Sequence, residues 1–141
     1  MGTSATIAYE RPSGEIVCIY CHWDGYLAYV GQTLKLHYKD AATIEKLMAL
    51  GDLSCLGRYP EVDPDGWDYS KKTQDDNLCV NYRSRGDVAC DASVYPDYES
   101  YMKNVVERSD VSFMYLFKDF GTGARWYYVT NIFPEMTWRE V

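Results

Sequence analysis

The stretch "ATIAYERPSGEIVCIYC", residues 5 to 21, decides the fold because it predicts a β-hairpin. In the first arm Ile7 and Tyr9 alternate with smaller side chains, and the Pro-Ser-Gly sequence at residues 12 to 14 is typical of a tight turn. In the second arm, residues 16 to 21, apolar side chains fall on both faces. A strand that is apolar on both faces is typical of the middle of a sheet, and we expect this arm there.

Two helices are predicted after the hairpin. In "YVGQTLKLHYKD", residues 29 to 40, apolar side chains recur at the spacing of one helix face. In "DAATIEKLMALG", residues 40 to 51, Asp40 is the expected N-cap and Gly51 the expected stop. The two helices are nearly continuous, so the chain is expected to bend near Asp40.

The rest of the chain predicts a loop, a strand, a helix and a second hairpin. Residues 58 to 77 contain two prolines, one glycine and six acidic side chains, and we interpret them as a long acidic loop. A strand is expected in residues 78 to 87, a helix in residues 95 to 110 and a hairpin in residues 111 to 132.

This order of elements predicts a single α+β domain over residues 1 to 141. Its sheet is expected to be antiparallel and built from two hairpins plus a middle strand. About three helices are expected to pack on one face of that sheet. No alternating strand-helix series with a glycine-rich phosphate turn appears, which disfavours a parallel nucleotide-binding fold.

The composition disfavours direct nucleic-acid binding. The 141 residues carry a net charge of −7, whereas binding to a phosphate backbone needs a basic face. An acidic surface can instead contact a basic partner, or only keep the protein soluble. The 14 tyrosines favour a binding protein, because tyrosine combines apolar area with one polar group.

The cysteines and the hydropathy pattern predict a cytoplasmic setting. The five cysteines are an odd number, and we expect free thiols in a reducing cytosol. No apolar run near the start is typical of a signal peptide, and none is long enough to cross a membrane. No membrane partner is therefore expected.

The sequence Cys18-x-x-Cys21-His22 raises the possibility of a zinc or haem site. Side chains alternate along a strand, however, so Cys18 and Cys21 should point to opposite faces and cannot share a metal. The other three cysteines stand alone in the sequence. We therefore expect no metal and no cofactor.

The segment from His22 to Tyr26 has two interpretations. Asp24-Gly25 is typical of a turn, and Trp23 and Tyr26 could pack that turn onto the core. Alternatively, His22, Trp23, Asp24 and Tyr26 line a ligand site at the junction between a strand and a helix.

Arg83 and Arg85 form a basic spot in an acidic protein. If the predicted strand continues through them, both side chains point the same way and could hold an anion. The alternative is that they pair with nearby carboxylates such as Asp87 or Asp91.

The acidic loop is a candidate contact with a basic partner, and otherwise a solvated segment. Its spacing of carboxylates is similar to that of proteins that mimic nucleic acids, and it lacks the ligand pattern of a calcium loop. The candidate contact residues are Glu61, Asp63, Asp65, Asp68, Asp75 and Asp76.

Three segments carry a resemblance to a known family: "GTSATIAYE", "IYCHWDGYLAYVGQTLKLHY" and "LMALGDLSCLG". With the pattern HWDGY…G…L…HY, the chain resembles a family of small proteins of bacteriophages, prophages and other mobile elements. The resemblance covers the first 57 residues and, more loosely, residues 78 to 91, where "CVNYRSRGD" lies. It implies the cytoplasm of a bacterial host cell as the setting, and it carries over no activity and no catalytic residue.

Three functions follow from these observations. The first is a host-takeover or counter-defence protein, a non-enzymatic inhibitor that binds a bacterial defence component such as a CRISPR effector. The second is a protein that binds a nucleotide signal, with the ring of Trp23 or Tyr26 on the base and Arg83 and Arg85 on the phosphate. The third is a small enzyme with His22 and Asp24 as acid and base, although no nucleophile, metal set or phosphate loop accompanies them.

Overall fold

The computed structural model describes residues 3–62, 77–87, 90–107, 110–130 and 137–141. Within these ranges eight strands form one mixed sheet in the order β4-β3-β2-β1-β6-β7-β8, and β5 also pairs with β2. The strands are β1 (Ala5–Glu10), β2 (Ile16–Cys21), β3 (Leu53–Cys55), β4 (Val80–Asn81), β5 (Ser93–Tyr95), β6 (Phe113–Asp119), β7 (Ala124–Thr130) and β8 (Arg139–Glu140).

The predicted first hairpin is present, and its second arm is central. β1 and β2 pair in antiparallel register from Ala5 opposite Cys21 to Glu10 opposite Ile16. The turn is closed by hydrogen bonds from the Arg11 N–H to the Glu15 carbonyl and from the Gly14 N–H to the Arg11 carbonyl, at 2.8 and 2.9 Å. β2 also pairs with β3 and β5 on its other edge, which confirms the position expected from its two apolar faces.

The prediction of a purely antiparallel sheet is wrong. β1 pairs with β6 in parallel, from Ala5 opposite Phe113 to Tyr9 opposite Phe117, and β2 pairs with β3 in parallel at Cys21 and Leu53. The prediction of two hairpins and a middle strand also contains too few strands, because β3, β5 and β8 are short additional strands. The apolar pattern of a strand indicates which faces are buried, but it does not indicate which strand lies beside it or in which direction.

The helices lie on both faces of the sheet, and the expectation of one covered face is wrong. A π-helical turn (Leu27–Gly31), α1 (Gln32–His37) and α2 (Ala41–Ala49) cover the first face, which carries Ile7, Ile19 and Tyr115. α3 (Tyr98–Glu107) covers the second face, which carries Ala8, Cys18 and Leu116. The physical reason is that β1, β2 and β6 are apolar on both sides, so each side needs a covering layer.

No helix in the described ranges is long and apolar enough to span a membrane. The bend between the first two helices lies where the sequence predicts it, since α1 ends at His37 and α2 begins at Ala41. Gly51 follows α2 with a φ of 74°, in the left-handed conformation expected of a helix stop.

The cysteines divide between the two faces. Cys21 lies in the first-face core and Cys18 in the second-face core, as strand alternation predicts. Cys55 and Cys79, which stand alone in the sequence, come near Cys21 in the fold, and burial together with these thiols raises the pKa of Cys21. Among the described side chains, no group of three or more His, Cys, Asp or Glu residues is arranged to hold a metal ion.

Asp40 is the N-cap of α2 and makes the stability of the protein depend on pH. Its carboxylate accepts a hydrogen bond from the Thr43 N–H at 2.8 Å and another from the Thr43 hydroxyl at 2.9 Å. These bonds lower the pKa of Asp40 below the ordinary value of 3.8. The stabilisation is therefore complete above pH 3.8 and is lost as the pH falls through the lowered pKa.

We expect Asp40→Ala to lower the free energy of unfolding at pH 7, and the difference from the natural protein to shrink below pH 3.8. Urea unfolding at both pH values measures it. Asp40→Asn is the control, because it keeps a capping oxygen without the charge and should lose less stability at pH 7. A difference that grows in acid would contradict the role of the carboxylate.

Candidate functional site

The aromatic turn, defined as residues 22 to 26, extends β2 beyond its last strand residue. The N–H groups of His22 and Trp23 donate to the carbonyls of Leu53 and Ser54, both at 3.0 Å, so the turn begins alongside β3. Asp24 then takes a φ of 57°, which makes it the only non-glycine residue with positive φ in the described part of the chain. Aspartate tolerates this conformation better than most residues, which suits the Asp-Gly sequence.

Gly25 attaches the aromatic turn to the sheet. Its N–H donates to the Thr3 carbonyl at 2.7 Å, and its own carbonyl accepts from the hydroxyl of Tyr115 at 2.7 Å. A Cβ atom at this position would lie 2.8 Å from the Cβ of Ala5 and 2.8 Å from the Thr3 carbonyl oxygen. Only glycine therefore allows the turn to approach the start of β1 so closely.

The π-helical turn that leads into α1 begins directly at the aromatic turn. The Val30 N–H donates to the Asp24 carbonyl at 3.3 Å, and the Tyr29 N–H donates to the Tyr26 carbonyl at 3.1 Å. Gly31 is buried there, and a Cβ on it would lie 2.9 Å from Leu27 and 3.4 Å from the ring of Tyr115. The backbone of the aromatic turn is thus held by β3 and Thr3 on one side and by the π-helical turn on the other.

The aromatic turn presents two large rings to solvent. Trp23 is 44% exposed and Tyr26 is 41% exposed. Only part of each side chain can therefore pack onto the core, as one of the two interpretations expected. The His22 ring meets the Trp23 ring edge-on, with 4.6 Å between centroids. The Tyr20 hydroxyl and His22 Nδ1 are 2.8 Å apart, which fixes the orientation of the imidazole.

The predicted acid and base are not joined. No hydrogen bond connects the His22 ring to Asp24 within the described residues, and the Nδ1 atom of His22 is engaged with Tyr20. Asp24 is exposed to solvent. The arrangement of His22 and Asp24 therefore suits a binding surface better than it suits the transfer of a proton between them.

Arg83 and Arg85 do not extend a strand as predicted. The strand β4 ends at Asn81, and a 3-10 turn spans Arg83–Arg85. Arg83 pairs with Asp91 and donates to the carbonyl of Ala49 at 3.0 Å, at the C-terminal end of α2. For Arg83 the structure therefore shows the alternative, a pair with a local carboxylate. The strand face that the two arginines were expected to share does not form.

The structure does not bring Arg83 to the aromatic turn. Arg83 lies at the end of α2, where a cation is favourable because the helix dipole is negative there. Of Arg85 only the main chain lies within the description. No contact joins the described atoms of these two residues to residues 22 to 26.

The acidic loop begins and ends at neighbouring points. The Tyr59 N–H donates to the Asn77 carbonyl at 3.0 Å, and the Cys79 N–H donates to the carbonyl of Glu61 at 2.8 Å. Glu61 is exposed. The other candidate contact residues lie outside the described residues and stay predictions: Asp63, Asp65, Asp68, Asp75 and Asp76.

One feature that the sequence did not predict joins distant segments of the chain. A cavity of about 290 Å³, here named the lysine cavity, lies between α1 and the β7–β8 end of the sheet. Its lining includes Lys35, Lys39, Phe117, Arg125, Trp126 and Glu140. The only signal in the sequence is the four-residue spacing of Lys35 and Lys39, which is also common on solvated helix faces.

Comparison with protein-family models, with curated proteins and with solved structures gives no match.

Proposed function

We propose that this protein is a non-enzymatic binding protein that contacts a host protein through its aromatic turn. The observation that carries the proposal is the exposure of Trp23 and Tyr26 on a backbone held by hydrogen bonds to β3, to Thr3 before β1 and to β6. Tryptophan and tyrosine dominate the energy of many protein interfaces. A turn that is already ordered loses little conformational entropy when it binds.

The partner class that we propose is a bacterial defence component such as a CRISPR effector, with the protein acting as a counter-defence factor of a phage or mobile element. The net charge of −7 supports it, since this charge suits a partner whose surface is basic because it binds nucleic acid. The phage setting is the one that the predicted family resemblance implies. The acidic loop would then supply a second contact that raises the rate of association.

We expect Trp23→Ala/Tyr26→Ala to weaken binding to a purified CRISPR effector at least about thirtyfold, since one hot-spot residue contributes about 2 kcal/mol or more. Both side chains are partly exposed, so the free energy of unfolding should change by less than about 1 kcal/mol. Titration calorimetry against a panel of effectors, with and without guide RNA, measures the affinity.

Phe120→Ala is the matched control for the aromatic turn. Phe120 is 44% exposed, as Trp23 is, but it lies at the β6–β7 hairpin. This variant should bind as the natural protein does. Binding by the Trp23/Tyr26 variant as tight as that of the natural protein would contradict the proposal. Unchanged binding after charge reversal of the acidic loop would contradict only its role as a second contact; the residues changed are Asp63, Asp65, Asp68, Asp75 and Asp76.

A nucleotide-binding protein is the alternative. The exposed ring of Trp23, with His22 edge-on to it, is a surface on which a base could stack. Arg83 is already paired with Asp91, so in this alternative the phosphate would need another cation. A nucleotide bound at the aromatic turn would shift the indole N–H signal of Trp23 in an NMR titration.

A further inference from the structure

The lysine cavity combines cations from two distant parts of the chain. Lys35 lies in α1 and Lys39 just after it, while Arg125 lies on β7. Arg125 pairs with Glu140 at 2.8 Å. Neither lysine has an ion pair with any described residue, although the protein as a whole carries a charge of −7. Both lysines therefore line the same cavity, and neither has an ionic partner among the described residues.

The cavity also has a rigid aromatic wall. The Trp126 indole N–H donates to the Tyr38 carbonyl at 2.8 Å, and this bond fixes the ring beneath the end of α1. The Phe117 ring lies 5.2 Å from the Trp126 ring, centroid to centroid. Both side chains are mostly buried, so the apolar part of the cavity is formed before any ligand arrives.

Size and charge limit what the cavity can hold. Its volume of about 290 Å³ is near the lower end of the range of small-molecule sites, about 300 to 1,000 Å³. A phosphate monoester carries a charge of about −1.5 to −2 at neutral pH. This charge balances the two positive charges of the lysines better than the single negative charge of a carboxylate ligand would. A flat ring on the same molecule would contact Phe117 and Trp126.

We propose that the lysine cavity binds a small phosphate monoester with a flat ring, such as a nucleoside monophosphate, with Lys35 and Lys39 on the phosphate and Trp126 and Phe117 against the ring. This site is separate from the aromatic turn and does not depend on the proposed protein partner. It places the anion between α1 and the sheet, where the three cations lie.

The test is an NMR titration of the full chain that follows the indole N–H signals, with Trp126→Phe to assign the Trp126 signal. The probes are phenyl phosphate and AMP, which have both a ring and a phosphate, and inorganic phosphate and phenol, which have one each. We expect the first two to shift the Trp126 signal, and the last two to bind at least about tenfold more weakly. Added salt should weaken binding of the charged probes.

Two variants decide whether the lysines hold the anion. Lys35→Gln/Lys39→Gln should weaken phenyl phosphate binding at least about tenfold, whereas Lys103→Gln, an exposed lysine of α3 on the other face, should leave it unchanged. The proposal is overturned if phenyl phosphate and AMP leave the Trp126 signal unmoved, or if both variants bind alike. A shift of Trp23 in place of Trp126 would also overturn it, and would support a nucleotide at the aromatic turn.

Discussion

Gly51→Ala should lower the free energy of unfolding by about 2 to 5 kcal/mol. Gly51 has a φ of 74°, where a side chain costs about 1 to 2 kcal/mol, and a Cβ would lie 2.3 Å from the Cys90 carbonyl oxygen. The same Cβ would lie 3.2 Å from the guanidinium of Arg83. The backbone at residues 51 and 90 would have to move apart.

That movement would break a hydrogen bond beside the substitution. The Asp52 N–H donates to the Cys90 carbonyl at 2.8 Å, and Asp52 in turn accepts from the Tyr20 N–H at 2.9 Å through its side chain. The strain therefore reaches β2, the middle strand of the sheet. Urea unfolding followed by circular dichroism measures the loss of stability.

Gly14→Ala is the matched control for Gly51→Ala. Gly14 also has a positive φ, 92°, but a Cβ there would meet no atom within 4 Å. This variant should lose only the conformational cost of about 1 to 2 kcal/mol. The difference between the two variants isolates the close approach of the Cys90 carbonyl, and equal losses would show that this approach is unimportant.

Gly25→Ala should lower the free energy of unfolding by about 1 to 3 kcal/mol and displace the aromatic turn. The added Cβ would lie 2.8 Å from both the Ala5 Cβ and the Thr3 carbonyl oxygen, in a place where neither neighbour is a flexible side-chain end. Residues 22 to 26 can relieve this contact only by moving away from β1. We therefore expect loss of partner binding as well as loss of stability.

Tyr115→Phe separates these two effects of Gly25→Ala. It removes the 2.7 Å hydrogen bond to the Gly25 carbonyl and adds no atom, so it should cost about 1 to 3 kcal/mol and leave the turn in place. Trp23 and Tyr26 should keep their chemical shifts in this variant and lose them in Gly25→Ala. Unchanged shifts in Gly25→Ala would contradict the role of Gly25 in positioning the rings.

Local features of the chain were predictable from local patterns. The hairpin of β1 and β2, the bend near Asp40, and the ends of α2 at Asp40 and Gly51 all agree with the structure. Each depends on residues within a few positions of one another, whose alternation, capping groups or backbone freedom favour one conformation. The turn at residues 22 to 26 was located for the same reason, from Asp24-Gly25.

The arrangement of the candidate sites depends on contacts between distant residues. Arg83 was expected beside Arg85 on a strand, but its partners are Asp91 and the end of α2, which is 34 residues away. The lysine cavity forms because β7 brings Trp126 to Tyr38, 88 residues earlier in the chain. No local pattern at either position distinguishes these side chains from solvated ones.

By itself the sequence determined the first hairpin, the ends of α2 and the turn at residues 22 to 26, because those features depend on short-range periodicity, capping and backbone freedom. The tertiary structure alone decided that β6 lies parallel to β1, that helices cover both faces, and that the Tyr115 hydroxyl holds the Gly25 carbonyl. These outcomes depend on the packing of apolar surfaces from segments about 90 to 110 residues apart, where many pairings satisfy the same apolar pattern and the packing of the whole core selects one.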